Sequence, residues 1–256
     1  MLQLSDEALL LSVDKYGDYD AIVVVLSHQH GLIRGIVKRG FSSKLRADLQ
    51  PATLVQMVWK ARLAEHMGSM TLEARHSFAP RVMHDPLKLA AVASVMALLS
   101  ASLAERDAHA ELYAQTVLFL QHVVAGSDPL IWLSEYVRLE MALLELAGFG
   151  LALHRCAATG TSEDLVYVSP KSGRAVSQAA GKPYATRLLA LPEFLQGTRE
   201  LPDSIEEMLQ GLALTGHFLE TRLLPALHRK PPAMRTHFEA LLRRSFQTAK
   251  VASMGA

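Results

Sequence analysis

Ala21-Ile22-Val23-Val24-Val25-Leu26 and, after a turn around His28 and His30, Gly31-Leu32-Ile33-Arg34-Gly35-Ile36-Val37-Lys38 decide the fold of the first eighty residues. The β-branched run at residues 22–25 reads as a buried strand, because branching at Cβ suits a pleated surface and is costly in a helix. The second segment opens on a glycine and alternates roughly between apolar and polar positions, as a strand with one wet face does. Working outward, Glu7 to Val13 is a short apolar strand that reaches Ala21 through a turn at Tyr16-Gly17-Asp18. Downstream, Pro51 leads into a strand over residues 52–62, and Ser69 to Ala74 is the last. Five short strands with glycine turns in a module of this size suit a small closed barrel of the OB type. A sandwich or an SH3-like barrel gives a similar pattern, so closure stays open at this level.

Past Pro80 the texture becomes helical. Pro86 opens a first-turn helix that an alanine- and leucine-rich run carries to Leu103. Its charge-free apolar part, Leu89 to Ala104, is shorter than the roughly 20 residues a bilayer needs and reads as a buried helix. A second helix covers residues 108–124 and stops at Gly126-Ser127-Asp128-Pro129. Asp128 is placed to cap a third, over residues 130–147, which Gly148 ends. In it Leu133, Val137, Met141 and Leu144 form one apolar stripe and Leu139, Leu143 and Leu146 another, as in a helix packed on two sides. Residues 149–189 break into a Gly-, Ser-, Thr- and Pro-rich stretch containing a hairpin: Leu165 to Val168, the turn Ser169-Pro170-Lys171-Ser172-Gly173, then Arg174 to Val176. Irregular insertions of this length usually serve a purpose. A last main helix is expected over residues 204–224, ended or kinked by Pro225, before a basic tail of Arg229, Lys230, Arg235, Arg243, Arg244 and Lys250. The expected fold class is α+β: an OB-fold domain at residues 1–80, then a helical domain at 81–256 with an insertion at about 149–190.

The chain has 256 residues, half of them hydrophobic, which excludes disorder, and a net charge of +1, which excludes attraction by overall charge. Charge is instead concentrated: residues 31–64 carry seven cations, Arg34, Lys38, Arg39, Lys44, Arg46, Lys60 and Arg62, against Asp48 alone. Cations on a barrel, around the flexible-looking loop Gly40-Phe41-Ser42-Ser43-Lys44, suit a polyanion whose phosphates they pair. A solvated basic face gives the same count. Phe41 and Trp59 are the aromatics in that window, so phosphate contacts should dominate and binding should be strongly salt-sensitive. The early acids and missing basic flank at the N-terminus do not suit a signal peptide. One cysteine, Cys156, allows neither an internal disulfide nor a cysteine-built zinc site. Neither the pair His28 and His30 nor the pair His154 and Cys156 has a visible activating partner. No phosphate-binding loop, Gly-x-Ser-x-Gly, His-Glu-x-x-His or dinucleotide fingerprint is present, and no enzymatic activity is expected.

Several segments, in order and spacing, resemble the bacterial RecO family. These are Glu7 to Leu11 with Tyr16 to Val23, His30 to Gly40, Leu49-Gln50-Pro51, and Glu135 to Leu144 with Gly148-Phe149. The resemblance implies a mediator of DNA repair and recombination that binds and anneals single-stranded DNA. With RecR, and with RecF as a further partner, such a protein helps load RecA onto strands coated by the single-strand binding protein SSB, in the bacterial cytoplasm at the nucleoid. It implies that the seven cations occupy the DNA-binding segment, and that Arg138 matches a position that captures the acidic C-terminal tail of SSB. The plainer role for Arg138 is an ion pair with Glu135. Relatives hold zinc in the insertion with two cysteine pairs; here those positions are Cys156 and Thr159, then Ser169 and Ser172. Hydroxyls cannot replace thiolates on zinc, so no metal or other cofactor is expected. A generic OB-fold binder of RNA is the alternative.

Overall fold

The computed structural model describes residues 2–42, 49–63, 66–197 and 199–254, with side chains described as far as residue 247. The chain packs as two compact units, Met1–Ala125 with Pro232–Arg235, and Gly126–Pro231 with Thr236–Ala256.

The first unit is built on a closed five-stranded barrel of order β1-β2-β3-β5-β4. Its strands are β1 (Leu2–Tyr16), β2 (Asp20–Ser27), β3 (Gly31–Val37), β4 (Thr53–Ala61) and β5 (Ser69–Ser77). Closure of the OB type is thereby settled in favour of the barrel. β1 is far longer than the strand expected from Glu7 to Val13, because it serves two partners. Residues 2–10 pair with β4, residues 8–16 pair with β2, and a bulge between Leu10 and Ser12 bends the strand around the barrel. Its first residues carry too many polar side chains to be read as strand from composition alone. The interior is filled by alternate residues, among them Leu10, Val23, Val25, Ile33, Val55, Met57, Trp59 and Met70.

The weak point of closure lies between β3 and β5, which share one parallel pairing, Ile36 with Ser69. Beyond it, Leu32 bridges to Glu105, and Arg106 N donates to Leu32 O at 2.9 Å. The segment after the second helix therefore finishes the sheet edge. Gly31 permits this: its φ is +69°, and a Cβ there would stand 1.9 Å from Asp107 O. Three helices complete the unit: α1 (Ala79–Val82), α2 (Pro86–Ser102) and α3 (Ala110–Ala125). Asp85 caps α2, its carboxylate accepting from Leu87 N and Lys88 N at 3.1 Å. α2 buries more than half of its circumference, including Ala90, Ala91, Val92 and Val95, as its apolar sequence requires. No helix among the described residues is long and apolar enough to cross a membrane.

In the second unit α4 (Pro129–Leu146) begins at Asp128, whose carboxylate accepts from Leu130 N at 2.8 Å. Both expected stripes run along it: Leu133, Val137, Leu144, Leu139 and Leu143 are buried, Met141 is half-buried and Leu146 is exposed. The insertion forms a three-stranded sheet of order β7-β6-β8 from β6 (Leu165–Val168), β7 (Ala175–Ser177) and β8 (Leu189–Ala190), with α5 (Gln178–Gly181) following β7. The hairpin is where it was expected; β8 is too short to leave a sequence signal. α6 (Ile205–Phe218) packs on α4, and Thr215 Oγ1 donates to the buried carboxylate of Glu140.

Pro225 was expected to end or kink this helix. The geometry instead changes earlier, in a π turn over Leu219–Leu223 where Leu224 N bonds back to Leu219 O, and the helix continues through α7 (Leu224–Ala226). A proline cannot donate to the preceding turn, and widening that turn accommodates its ring. The long α8 (Ala233–Met254) closes the chain.

Candidate nucleic-acid interface

Strand alternation sets where the cations point. Ile33 and Val37 of β3 face the core, so Arg34 and Ile36 face out, with Lys38 next in that phase. On β4, Trp59 and Ala61 face the core, so Lys60 faces out, followed by Arg62. Register then brings Lys60 near the end of β3 across the β3–β5 seam. Val37 lies beside Ala21, Ile36 beside Ser69, and Ser69 beside Lys60. Lys60 is thus two strand spacings, roughly 10 Å, from the end of β3. Lys38, Arg39, Lys60 and Arg62 are all exposed there.

Each cation has a particular setting. Lys38 Nζ donates to Asp20 Oδ2 at 2.7 Å yet stays 75% exposed. Arg39 adopts φ +56°, and its backbone N donates to the other oxygen of Asp20 at 2.9 Å. These two bonds hold the Asp20 carboxyl below its ordinary pKa, the Lys38 contact contributing most. The same contact raises the Lys38 ammonium. Arg34 stands further back on the strand, half-buried, with Nε 2.8 Å from Glu105 Oε1. Its charge is partly spent inside the unit. Lys44 and Arg46 lie outside the described residues.

The two aromatics of the basic window are not free platforms. Trp59 is fully buried; its Nε1 donates to Met67 O at 2.7 Å and Arg34 O at 3.1 Å, and the Arg106 guanidinium covers its ring at 4.3 Å. Phe41 is half-buried against the core. The exposed aromatics near Lys38 are Tyr16 and Tyr19, 49% and 67% exposed, on the β1–β2 hairpin. Phe41 N donates to Tyr19 O at 2.9 Å, which ties that hairpin to the β3–β4 connection. Both tyrosines lie outside residues 31–64 and were read as turn and hairpin residues. The signal that could have singled them out is hairpin register, which puts Asp20 and its neighbours beside Lys38.

The remaining candidates separate. His28 packs edge-on against Tyr113 with ring centroids 5.2 Å apart, at the β2–β3 turn. His154 is exposed whereas Cys156 is buried, its sulfur receiving Ser177 N at 3.2 Å. Among the described residues no group of three or more His, Cys, Asp or Glu is arranged to hold a metal ion. In the tail, Arg235 is buried and Arg243 pairs with Glu239 at 2.6 Å. Arg138, on the exposed side of α4, donates through Nη2 to the Glu200 carbonyl.

Residues 1–78 match the family described as Recombination protein O N terminal, and residues 83–231 match Recombination protein O C terminal. The chain belongs to the RecO family. Members similar to it include DNA repair protein RecO of Rhodospirillum centenum, 42% identical over 98% of both chains. Those of Rhodospirillum rubrum and Dinoroseobacter shibae are 43% and 44% identical, over 95% and 96% of this chain and 98% and 100% of theirs. In this RecO-family chain the N-terminal match ends with the barrel, and the C-terminal match takes in α2 to α7 and the insertion.

Proposed function

We propose that this protein is a non-enzymatic recombination mediator acting in DNA repair. It binds and anneals single-stranded DNA, and with RecR it helps load RecA onto SSB-coated strands in the bacterial cytoplasm, at the nucleoid. The binding module is the domain at residues 1–80, and the helical domain at 81–256 receives protein partners. The observation that carries the reading is the exposure of Lys38 and Arg39 at the end of β3 and of Lys60 and Arg62 two strands away across the β3–β5 seam, with Tyr16 and Tyr19 exposed on the hairpin beside Lys38. Cations track the sugar-phosphate chain while tyrosines stack bases without regard to sequence. Arg34 is proposed to contribute to the same phosphate contacts, as are Lys44 and Arg46, which lie outside the described residues. The relatives named above, 42–44% identical over nearly the full chain, support the repair context.

Arg138 is the proposed contact for the SSB tail; its guanidinium has donors beyond the one given to Glu200, and a guanidinium can fork a terminal carboxylate. The deciding experiment is annealing of complementary strands coated with SSB, with and without this protein. Acceleration that disappears in a folded Lys38→Glu/Arg39→Glu/Lys60→Glu variant supports the reading. Unchanged annealing by that variant removes the site, and binding of RNA without any annealing of coated DNA favours a generic OB-fold binder. An Arg138→Ala variant should lower SSB-tail affinity and leave naked-strand binding intact.

A further inference from the structure

We infer that the first unit carries a docking groove for a segment of a partner protein that presents an arginine among aliphatic side chains. The groove, about 570 Å³, falls within the usual size of a ligand cleft, roughly 300–1,000 Å³. β1 and the β2–β3 turn line it with Asp6, Glu7, His28 and Gln29, and α3 supplies the rest. Ala114, Val117, Leu118 and Gln121 recur on α3 at steps of three and four and so form one strip. Leu118 is 45% exposed in that strip and Val117 is half-buried. Asp6 and Glu7 are the acidic lining groups, with no lysine or arginine among the described lining residues. Two carboxylates beside an aliphatic strip ask for a cation carried on an apolar stem.

The carboxylates have capacity to spare. Asp6 is 7% exposed, and both of its bonds fall on Oδ2, to which Ser27 Oγ donates and Gln29 N donates at 2.7 Å. Oδ1 accepts no hydrogen bond among the described residues, although buried acceptors are normally paired. Glu7 accepts the Tyr113 hydroxyl on Oε1 at 2.9 Å, which leaves Oε2 for a ligand. A guanidinium suits this setting: its planar fork of five donors can serve two carboxylates, and it is hydrated weakly enough to tolerate aliphatic neighbours. A nucleic-acid strand is the poorer fit, since its phosphates would meet two anions and no cation. The lining is also held in place before anything binds. His28 N donates to Glu7 O at 3.1 Å, and the His28 ring packs on Tyr113, joining turn to helix. The seven residues of β3, roughly 20 Å of strand, separate this turn from Lys38. A partner seated here leaves the proposed strand path open, and the inference goes beyond that reading without resting on it.

The test uses the full-length protein and the peptide Gly-Ser-Leu-Arg-Leu-Ser-Gly, amidated at its C-terminus and carrying a neutral fluorophore, read by anisotropy. Exchanging its arginine for citrulline, a neutral isostere, is expected to weaken binding about tenfold or more. Glu7→Gln, which keeps an acceptor for Tyr113, should weaken it by a similar factor. Leu118→Ser, a change at an exposed position that serves if Glu7→Gln does not fold, should weaken it several-fold; melting curves check both variants. Equal binding of the citrulline peptide overturns the inference, as does affinity unchanged in both variants. Free arginine or spermidine binding as tightly as the peptide overturns it too, by marking a site for small cations. Annealing of naked strands by Glu7→Gln should stay at the unmodified level, so failure of the groove and failure of the mediator reading are separable.

Discussion

Asp20 shows how one side chain sets the character of the basic surface. It binds Lys38 Nζ and Arg39 N at once, so the cation nearest the exposed tyrosines already has an anionic neighbour competing with phosphate. Asp20→Asn keeps an acceptor for Arg39 N and removes that competition. Single-strand affinity at low salt should rise about two- to three-fold, the modest scale of an exposed ion pair, and filter binding reads it. Tyr113 offers a pH-dependent prediction. Burial and the bond from its hydroxyl to Glu7, 2.9 Å, hold its phenol well above the ordinary value. A raised folded-state value means the stabilisation is intact below about pH 10 and is lost as pH climbs beyond it. Tyr113→Phe should therefore be less stable at pH 8 by about 1 kcal/mol. It should also show a flatter stability curve above pH 10 in urea titrations; an equally steep alkaline decline would remove Tyr113 as its source.

At the scale of elements, two joints decide the units. The β3 edge of the barrel is completed by Glu105 and Arg106, and this works because Gly31 lets Asp107 approach its backbone. Gly31→Ala imposes both a left-handed backbone, costing about 1–2 kcal/mol, and a steric collision. The outcome expected is a lower denaturation midpoint with loss of the Trp59 environment that Arg106 covers, read by fluorescence in a Trp132→Phe background. In the second unit Thr215→Val takes away the hydroxyl that donates to buried Glu140. Unfolding free energy should drop by about 1–3 kcal/mol, the range for weakening a buried hydrogen bond to a charged group. The helices themselves were legible because their signals are local: Asp128 as a cap, Pro86 and Pro129 in the first turn, glycine at the end. The π turn was not, because its cause, Pro225, acts on the residues before it.

For the molecule as a whole, a net charge of +1 leaves the exposed barrel cations Lys38, Arg39, Lys60 and Arg62 as the electrostatic means of holding a strand. With about 0.7 counterions released per phosphate on a single strand, the slope of log affinity against log salt should be about −3, and steeper if Lys44 and Arg46 also engage. A slope near zero would show that the cations face solvent without function.

By itself, the sequence determined the alternation of strands, the caps and stops of the helices, the hairpin in the insertion and the crowding of cations into residues 31–64. Each of these depends on neighbours within a few positions along the chain. Only tertiary structure decided that Lys38 meets Asp20, that Trp59 is sealed beneath Arg106 while Tyr16 and Tyr19 stay open, and that three remote segments wall a cavity lined by Lys171 and Arg222. Those juxtapositions arise from strand register and helix packing, which sum many weak contacts between residues far apart in the chain and leave no local trace of which pairs will meet.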